Sequence, residues 1–206
     1  MSGIVGQNTL DNSGLIKAPA GGGAWNFIKK LTASASGDLS FVDGTSDVVL
    51  DSTYKEYVFT FNNMHVGTDG QDFQFNVSID GGSNYNVAKT TTTWRAYQGE
   101  DDSAAGVGYQ SDKDLAQGTG TQMISQYMSS DNDASCSGYL HLFNPSSTTF
   151  VKHFICRMQA HVKDAFSRDQ YIAGFANTTS AVDAVQFTMQ SGNIDLGDIC
   201  LYGLTT

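Results

Sequence analysis

The sequence predicts an all-β protein: a two-sheet antiparallel β-sandwich of jelly-roll type behind an extended N-terminal arm. Three observations predict it. Of the 21 acidic residues 19 are Asp, and two, Glu56 and Glu100, are Glu. Asp bonds its own backbone in turns and is poor inside helices, so the acid belongs to loops. Apolar residues recur with period two in short runs, broken every ten or so residues by clusters of Gly, Asn, Asp and Ser, the pattern of half-buried strands. No stretch sustains the 3.6-residue period of an amphipathic helix.

The N-terminal residues differ from the rest. Ser2-Gly3-Ile4-Val5 and Ser13-Gly14-Leu15-Ile16 each place an apolar pair behind a glycine, and a polar linker containing Leu10 joins them. Pro19 and Gly21-Gly22-Gly23 then form a hinge. Residues 1–23 read as an anchoring arm and residues 24–206 as the sandwich. Twenty extended residues reach roughly 65 Å, far enough to touch a neighbouring subunit. The candidate partner-binding residues are Ile4, Val5, Leu10, Leu15, Ile16 and Lys17, with strand addition to a partner's sheet edge as the expected mode.

Strands are expected at 24–32 and 38–42, then where Tyr57, Phe59 and Phe61 alternate with Glu56, Thr60 and Asn62. Phe73, Phe75, Val77 and Ile79 form the dry face of the next. Asp80-Gly81-Gly82-Ser83-Asn84 tolerates φ > 0, so 72–80 and 84–97 are expected to pair as a hairpin. Trp94 falls on the opposite parity from Tyr85 and Val87, which predicts a bulge or a change of sheet within Thr90–Thr93. The stretch 98–120 reads as an elaborated loop suited to binding. Strands follow at 121–128, 136–143, 149–162, 169–176, 182–190 and 193–203. Asn144-Pro145-Ser146-Ser147 turns the chain between two of them; if that turn is tight, Tyr139 lies opposite His153. Gly197 marks a bulge in the last strand.

Composition excludes several functions. A net charge of −10 and a sequence pI of about 4.5 leave no basic face for nucleic acid. The 40% hydrophobic content is too high for a disordered chain. No run reaches the ~18 apolar residues of a membrane span. Met1 to Asn8 carry neither a basic nor an apolar signal region, which predicts synthesis without secretion. Cys136, Cys156 and Cys200, odd in number and widely spaced, then read as buried thiols of a reducing compartment.

The sequence carries neither a recognisable catalytic set nor a cofactor or metal site. His153 and His161 share one strand face about 27 Å apart, too far to hold one metal. The nearest match to a calcium loop, Asp131-Asn132-Asp133, has Cys136 where the loop glycine belongs. G-x-S-x-G, H-E-x-x-H and phosphate-loop motifs are absent. A non-enzymatic protein is expected. Aromatic residues remain as binding candidates: Trp25, Trp94, Tyr85, Tyr97, Tyr109, Tyr127 and Tyr139 suit either a subunit interface or a saccharide, with Tyr97 and Tyr109 the candidate glycan-binding pair beside the 98–120 loop.

Met1-Ser2-Gly3-Ile4-Val5-Gly6 with Ser13-Gly14-Leu15-Ile16-Lys17, the segment from Leu142 to Phe154 and the segment from Phe187 to Gly203 resemble small β-rich virion proteins of tailed bacteriophages, especially phages of marine bacteria. The resemblance covers strand and turn patterns and brings no catalytic residue. It implies a decoration or fibre component of the virion, assembled in the host bacterial cytoplasm and held to capsid or tail proteins by its arm. Self-association into a homo-oligomer is expected. The alternative is a tail-fibre module that binds a host surface glycan.

Overall fold

The computed structural model describes residues 24–205. The expected arm and its residues Ile4, Val5, Leu10, Leu15, Ile16 and Lys17 lie outside the described residues. Twelve strands and no helix make up the described chain: β1 (Trp25–Ser36), β2 (Asp38–Val42), β3 (Glu56–Val66), β4 (Gln71–Ser78), β5 (Lys89–Gly99), β6 (Ala105–Tyr109), β7 (Gln122–Met128), β8 (Cys136–Phe143), β9 (Lys152–Val162), β10 (Phe166–Ala176), β11 (Ala184–Met189) and β12 (Ile194–Leu204).

All pairings are antiparallel. Eight strands run in the order β1-β12-β3-β8-β9-β10-β5-β6, and four in the order β7-β4-β11-β2. A single bridge from Met128 to Val162 joins the two parts at one corner. At another, the chain passes from β1 through Gly37 directly into β2. The sheet therefore nearly closes on itself in a barrel-like way.

Aromatic side chains hold the two parts together. Phe187 of β11 lies 5.3 and 5.1 Å, ring to ring, from Phe59 and Phe61 of β3 in the larger part. Phe41 of β2 and Phe73 and Phe75 of β4 complete the ring around it at 6.0 to 6.4 Å. Phe75 in turn meets Phe154 of β9 at 5.0 Å. All of these rings are buried, and inward-facing positions of period-two strands supply them, as the alternation in the sequence predicts. Strand β9 repeats that alternation without a break: Phe154, Cys156, Met158, Ala160 and Val162 face in, Ile155, Arg157 and Gln159 face out. The three cysteines are buried free thiols. Burial pushes Cys136 up to about 12.

Five expectations are corrected. Strands β4 and β5 do not form a hairpin, because β7 and β11 already occupy both edges of β4; after the Asp80 turn the chain crosses to the edge of β10. Ile79 lies beyond the end of β4 and is exposed. No bulge interrupts β5, which pairs with β10 residue for residue from Lys89 to Gly99. The 98–120 stretch contains a strand, β6, paired to β5; its Ala-Gly-Val-Gly sequence has too little apolar alternation to signal one. Tyr139 lies opposite Arg157, not His153. The turn at Asn144 does form, with Ser147 N donating to Asn144 O, but the chain continues outward through Thr148–Val151 before β9 starts, and the added residues shift the register. Gly197 does sit at an irregularity between β12 and β3, with φ of +123°.

Phe187→Ala removes the ring on which five others converge. A loss of about 3–5 kcal/mol is expected, measured by denaturant unfolding; a loss below about 1 kcal/mol would show that the two parts do not depend on this contact.

Candidate functional site

Two surfaces stand out, one on the outside of the eight-stranded part and one inside its mouth. The outer one follows from register. Residues paired across β8, β9, β10 and β5 point the same way, so the pairing aligns four rows of side chains: His153, Phe175 and Thr90, with Phe143 beside His153 at the end of β8; His141, Ile155, Ala173 and Thr92; Tyr139, Arg157, Tyr171 and Trp94; Ser137, Gln159, Asp169 and Ala96. Strand β6 extends the third row to Tyr109 and the fourth to Val107.

The third row is rigid. Arg157 forms a two-pronged ion pair with Asp169, Nε to Oδ1 at 3.0 Å and Nη2 to Oδ2 at 2.7 Å. Its guanidinium lies 4.8 Å over the Tyr171 ring, and Tyr171 stacks on Trp94 at 4.0 Å with 3° between planes. The hydrogen bonds to Asp169 raise the Arg157 pKa and hold the Asp169 carboxyl low. Tyr109 donates from its hydroxyl to Asp114, and that bond raises its pKa. Small Ala173 and Thr92 leave a groove of about 500 Å³ between Ile155, Phe175, His153 and Phe143. A second hollow of about 460 Å³, under Phe150, shares Phe143 and His153 with it. Phe150 is 68% exposed and Ile155 51%. Exposed apolar side chains are thus grouped around the two hollows.

His141 joins this face to a second aromatic group on β12 and β1. Its ring meets Trp25 edge-on at 6.3 Å and Tyr139 at 5.2 Å, and its Nδ1 is hydrogen-bonded to Glu56. Tyr202 carries Trp25 and Phe27 at 5.4 and 5.7 Å. Trp25, near the start of the described chain, thus lies beside the apolar face.

The inner surface is polar. The inward positions of β5 are Lys89, Thr91, Thr93, Arg95 and Tyr97, and those of β10 include Arg168 and Gln170. Lys89 is fully buried, donating to Asn76 Oδ1 and to Val87 O. Thr91 donates to Gln122 at 2.6 Å, and Gln170 to Gln110 at 2.8 Å. Asp72, also buried, accepts from Lys113 at 2.8 Å and from the Tyr127 backbone at 3.0 Å. The parity change at Trp94 therefore has a different cause from a bulge: the strand runs straight, and its inner face is polar while Trp94 faces out. The apparent break arose because the inward positions here are hydrophilic.

Of the sequence candidates, Trp25, Trp94, Tyr109 and Tyr139 share the outer face. Tyr97 and Tyr127 lie at the inner mouth, and Tyr85 is at neither surface. Tyr97 and Tyr109 are on opposite faces of the β5–β6 pair and are not brought together. His141, Arg157, Tyr171, Phe175, Arg95 and Arg168 are the members that sequence reasoning missed; cross-strand register, absent from a single sequence, places them. Among the described residues, no group of three His, Cys, Asp or Glu could hold a metal ion. The fold is that of an all-β protein with an antiparallel, nearly closed sheet. Comparison of the chain with protein-family models, curated proteins and solved structures finds no match.

Burial lowers the Lys89 pKa from 10.5 to about 8. Between those values the unfolded chain binds more protons at this site than the folded one, so its contribution to stability rises with pH. The stability difference between the wild type and Lys89→Met is expected to shift in favour of the wild type by on the order of 3 kcal/mol from pH 8 to 10.5, read from urea unfolding at each pH. A difference that stays constant would mean that Lys89 is not charged and desolvated at neutral pH.

Proposed function

We propose that the protein is a non-enzymatic structural component of a bacteriophage virion. Its body is a β module of jelly-roll type, and residues 1–23 hold it to capsid or tail proteins. The observation that carries this reading is the outer face of β8, β9, β10 and β5, where Ile155, Trp94 and Tyr139, with Phe150 beside them, are exposed together, a grouping that suits a contact surface. The segment Leu142–Phe154, one of those that resemble virion proteins, contributes Phe143, Phe150 and His153 to the two hollows of that face. Contact between copies of the chain through this face accounts for its composition: aromatic residues and arginine are enriched in interface cores. The arm, joining beside the same face, supplies apolar pairs for strand addition to a partner's edge.

A second reading, a module that recognises host surface glycan, is favoured by the Trp94–Tyr171 stack. Trp94 is 40% exposed and held flat, which suits stacking on a sugar ring.

Limited trypsin digestion tests the anchor. Cleavage after Lys17 is expected to be fast in the isolated protein and blocked in the assembled particle; equal rates would overturn the role of the arm. The outer face is tested separately with Phe150→Glu/Ile155→Glu, both at exposed positions. Incorporation into particles is expected to fall at least about tenfold, as for loss of an interface anchor, with an unchanged far-UV spectrum. Normal incorporation would show that the face is not an assembly contact.

A further inference from the structure

We infer that the mouth between β5, β10 and β7 is a binding site for a monoanionic acid group, a carboxylate or sulfate, carried on a sugar-sized ring. The hollow, about 440 Å³, is lined by Arg95, Arg168, Lys163, Tyr127, Phe166 and Asp69, together with Gly70 and Asp164. The inference rests on the glycan reading for the ring alone; the acid site follows from the hydrogen bonding.

The site is short of acceptors. Gln126 Oε1 receives Gln110 Nε2 at 2.6 Å, Arg95 Nη1 at 2.8 Å and Arg168 Nη1 at 3.2 Å. Three donors thus share an oxygen with two lone pairs, and Arg168 Nη1 divides its contact between it and the Gln126 backbone carbonyl, also at 3.2 Å. The two guanidinium Nη1 atoms are held no more than about 6 Å apart by that shared oxygen. Arg168 is 8% exposed, and its Nε has no hydrogen-bond partner among the described residues. That Nε is enclosed by protein, so the guanidinium is left short of acceptors from within the fold, and the part of Arg168 that lines the hollow is where an occupant would meet it.

The charges are also unbalanced. Neither Arg95 nor Arg168 forms an ion pair among the described residues. The nearby carboxylates are engaged elsewhere: Asp72 is bonded to Lys113 and the Tyr127 N–H, and Asp69 to Lys163 at 3.2 Å and to the Ser130 N–H at 3.3 Å. Asp164 also lines the hollow. Three cations against two carboxylates leave one positive charge, which a carboxylate or sulfate matches and a dianionic phosphate exceeds. Burial, and then the neighbouring Arg95, pull the Arg168 pKa down to about 10, against a smaller opposing effect of the Asp72 charge.

Aromatic walls complete the site. Phe166 packs edge-on against Tyr97 at 6.0 Å, and the Arg95 guanidinium lies 5.2 Å over Tyr97. Tyr127 has φ of +54°, a backbone conformation unusual for an aromatic residue. Its ring has Arg168 and Lys113 over it at 5.6 and 5.5 Å. The guanidinium forks take the acid group bidentately, and the Phe166 and Tyr127 rings supply faces for the sugar.

The test is titration of the full chain with glucuronate, glucose and acetate, followed by arginine Nε–H NMR signals and by thermal unfolding. Glucuronate is expected to shift the Arg168 Nε–H signal and to raise Tm, glucose to do neither, and acetate to bind at least about tenfold more weakly. Arg95→Gln, at a half-buried position, is expected to weaken glucuronate at least tenfold, with Arg95→Lys intermediate. No response to glucuronate, or an equal response in Arg95→Gln, would overturn the acid site. Acetate binding as tightly as glucuronate would overturn the sugar assignment. The glycan reading at Trp94 fails separately, if Trp94→Ala leaves binding to host polysaccharide unchanged.

Discussion

Phe187 sits where rings from three other strands converge, and the rest of the structure depends on that contact. It ties the four-stranded part to β3 in the middle of the eight-stranded part. An aromatic cluster of this size buries a large apolar area, and its edge-to-face pairs each add roughly 0.5–1.5 kcal/mol beyond burial. With the two parts clamped there, the sheet cannot flatten. The strands furthest from the clamp, β10, β5 and β6, need not be filled with apolar groups.

That freedom explains the polar mouth. Beneath β5 and β10 the interior is built from Lys89, threonines, glutamines and two arginines instead of phenylalanines. Buried polar groups cost stability unless paired, and most are paired here: Lys89 with Asn76, Thr91 with Gln122, Gln170 with Gln110. The exceptions, Thr93 Oγ1 and Arg168 Nε, are therefore informative. Arg168 lines a hollow, whereas nothing in the structure explains Thr93.

The outer face was partly legible in the sequence. Trp25, Trp94, Tyr109 and Tyr139 could be named as binding candidates from residue type alone, and the alternation of β9 correctly separated Phe154 and Cys156 from Ile155 and Arg157. What could not be read is that Arg157 meets Tyr171 and Tyr171 meets Trp94. Those contacts join β9, β10 and β5, and each depends on a pairing register that loop length sets. The four extra residues after the Asn144 turn were enough to move Tyr139 from His153 to Arg157. Tyr97 and Tyr109 show the reverse failure: neighbours in sequence and similar in type, they are separated by a sheet.

The sequence by itself determined the class of the protein, the position of eleven of the twelve strands and the inward set of phenylalanines, because period-two alternation and turn residues are local properties. Strand pairing was decided by tertiary structure. A turn such as Asp80–Asn84 permits a hairpin but cannot form one when both edges of β4 are already taken. The same holds for the site. Arg95 and Arg168 are unremarkable in the chain, 73 positions apart; the fold alone aims both at one glutamine oxygen, and that convergence gives them a chemical role.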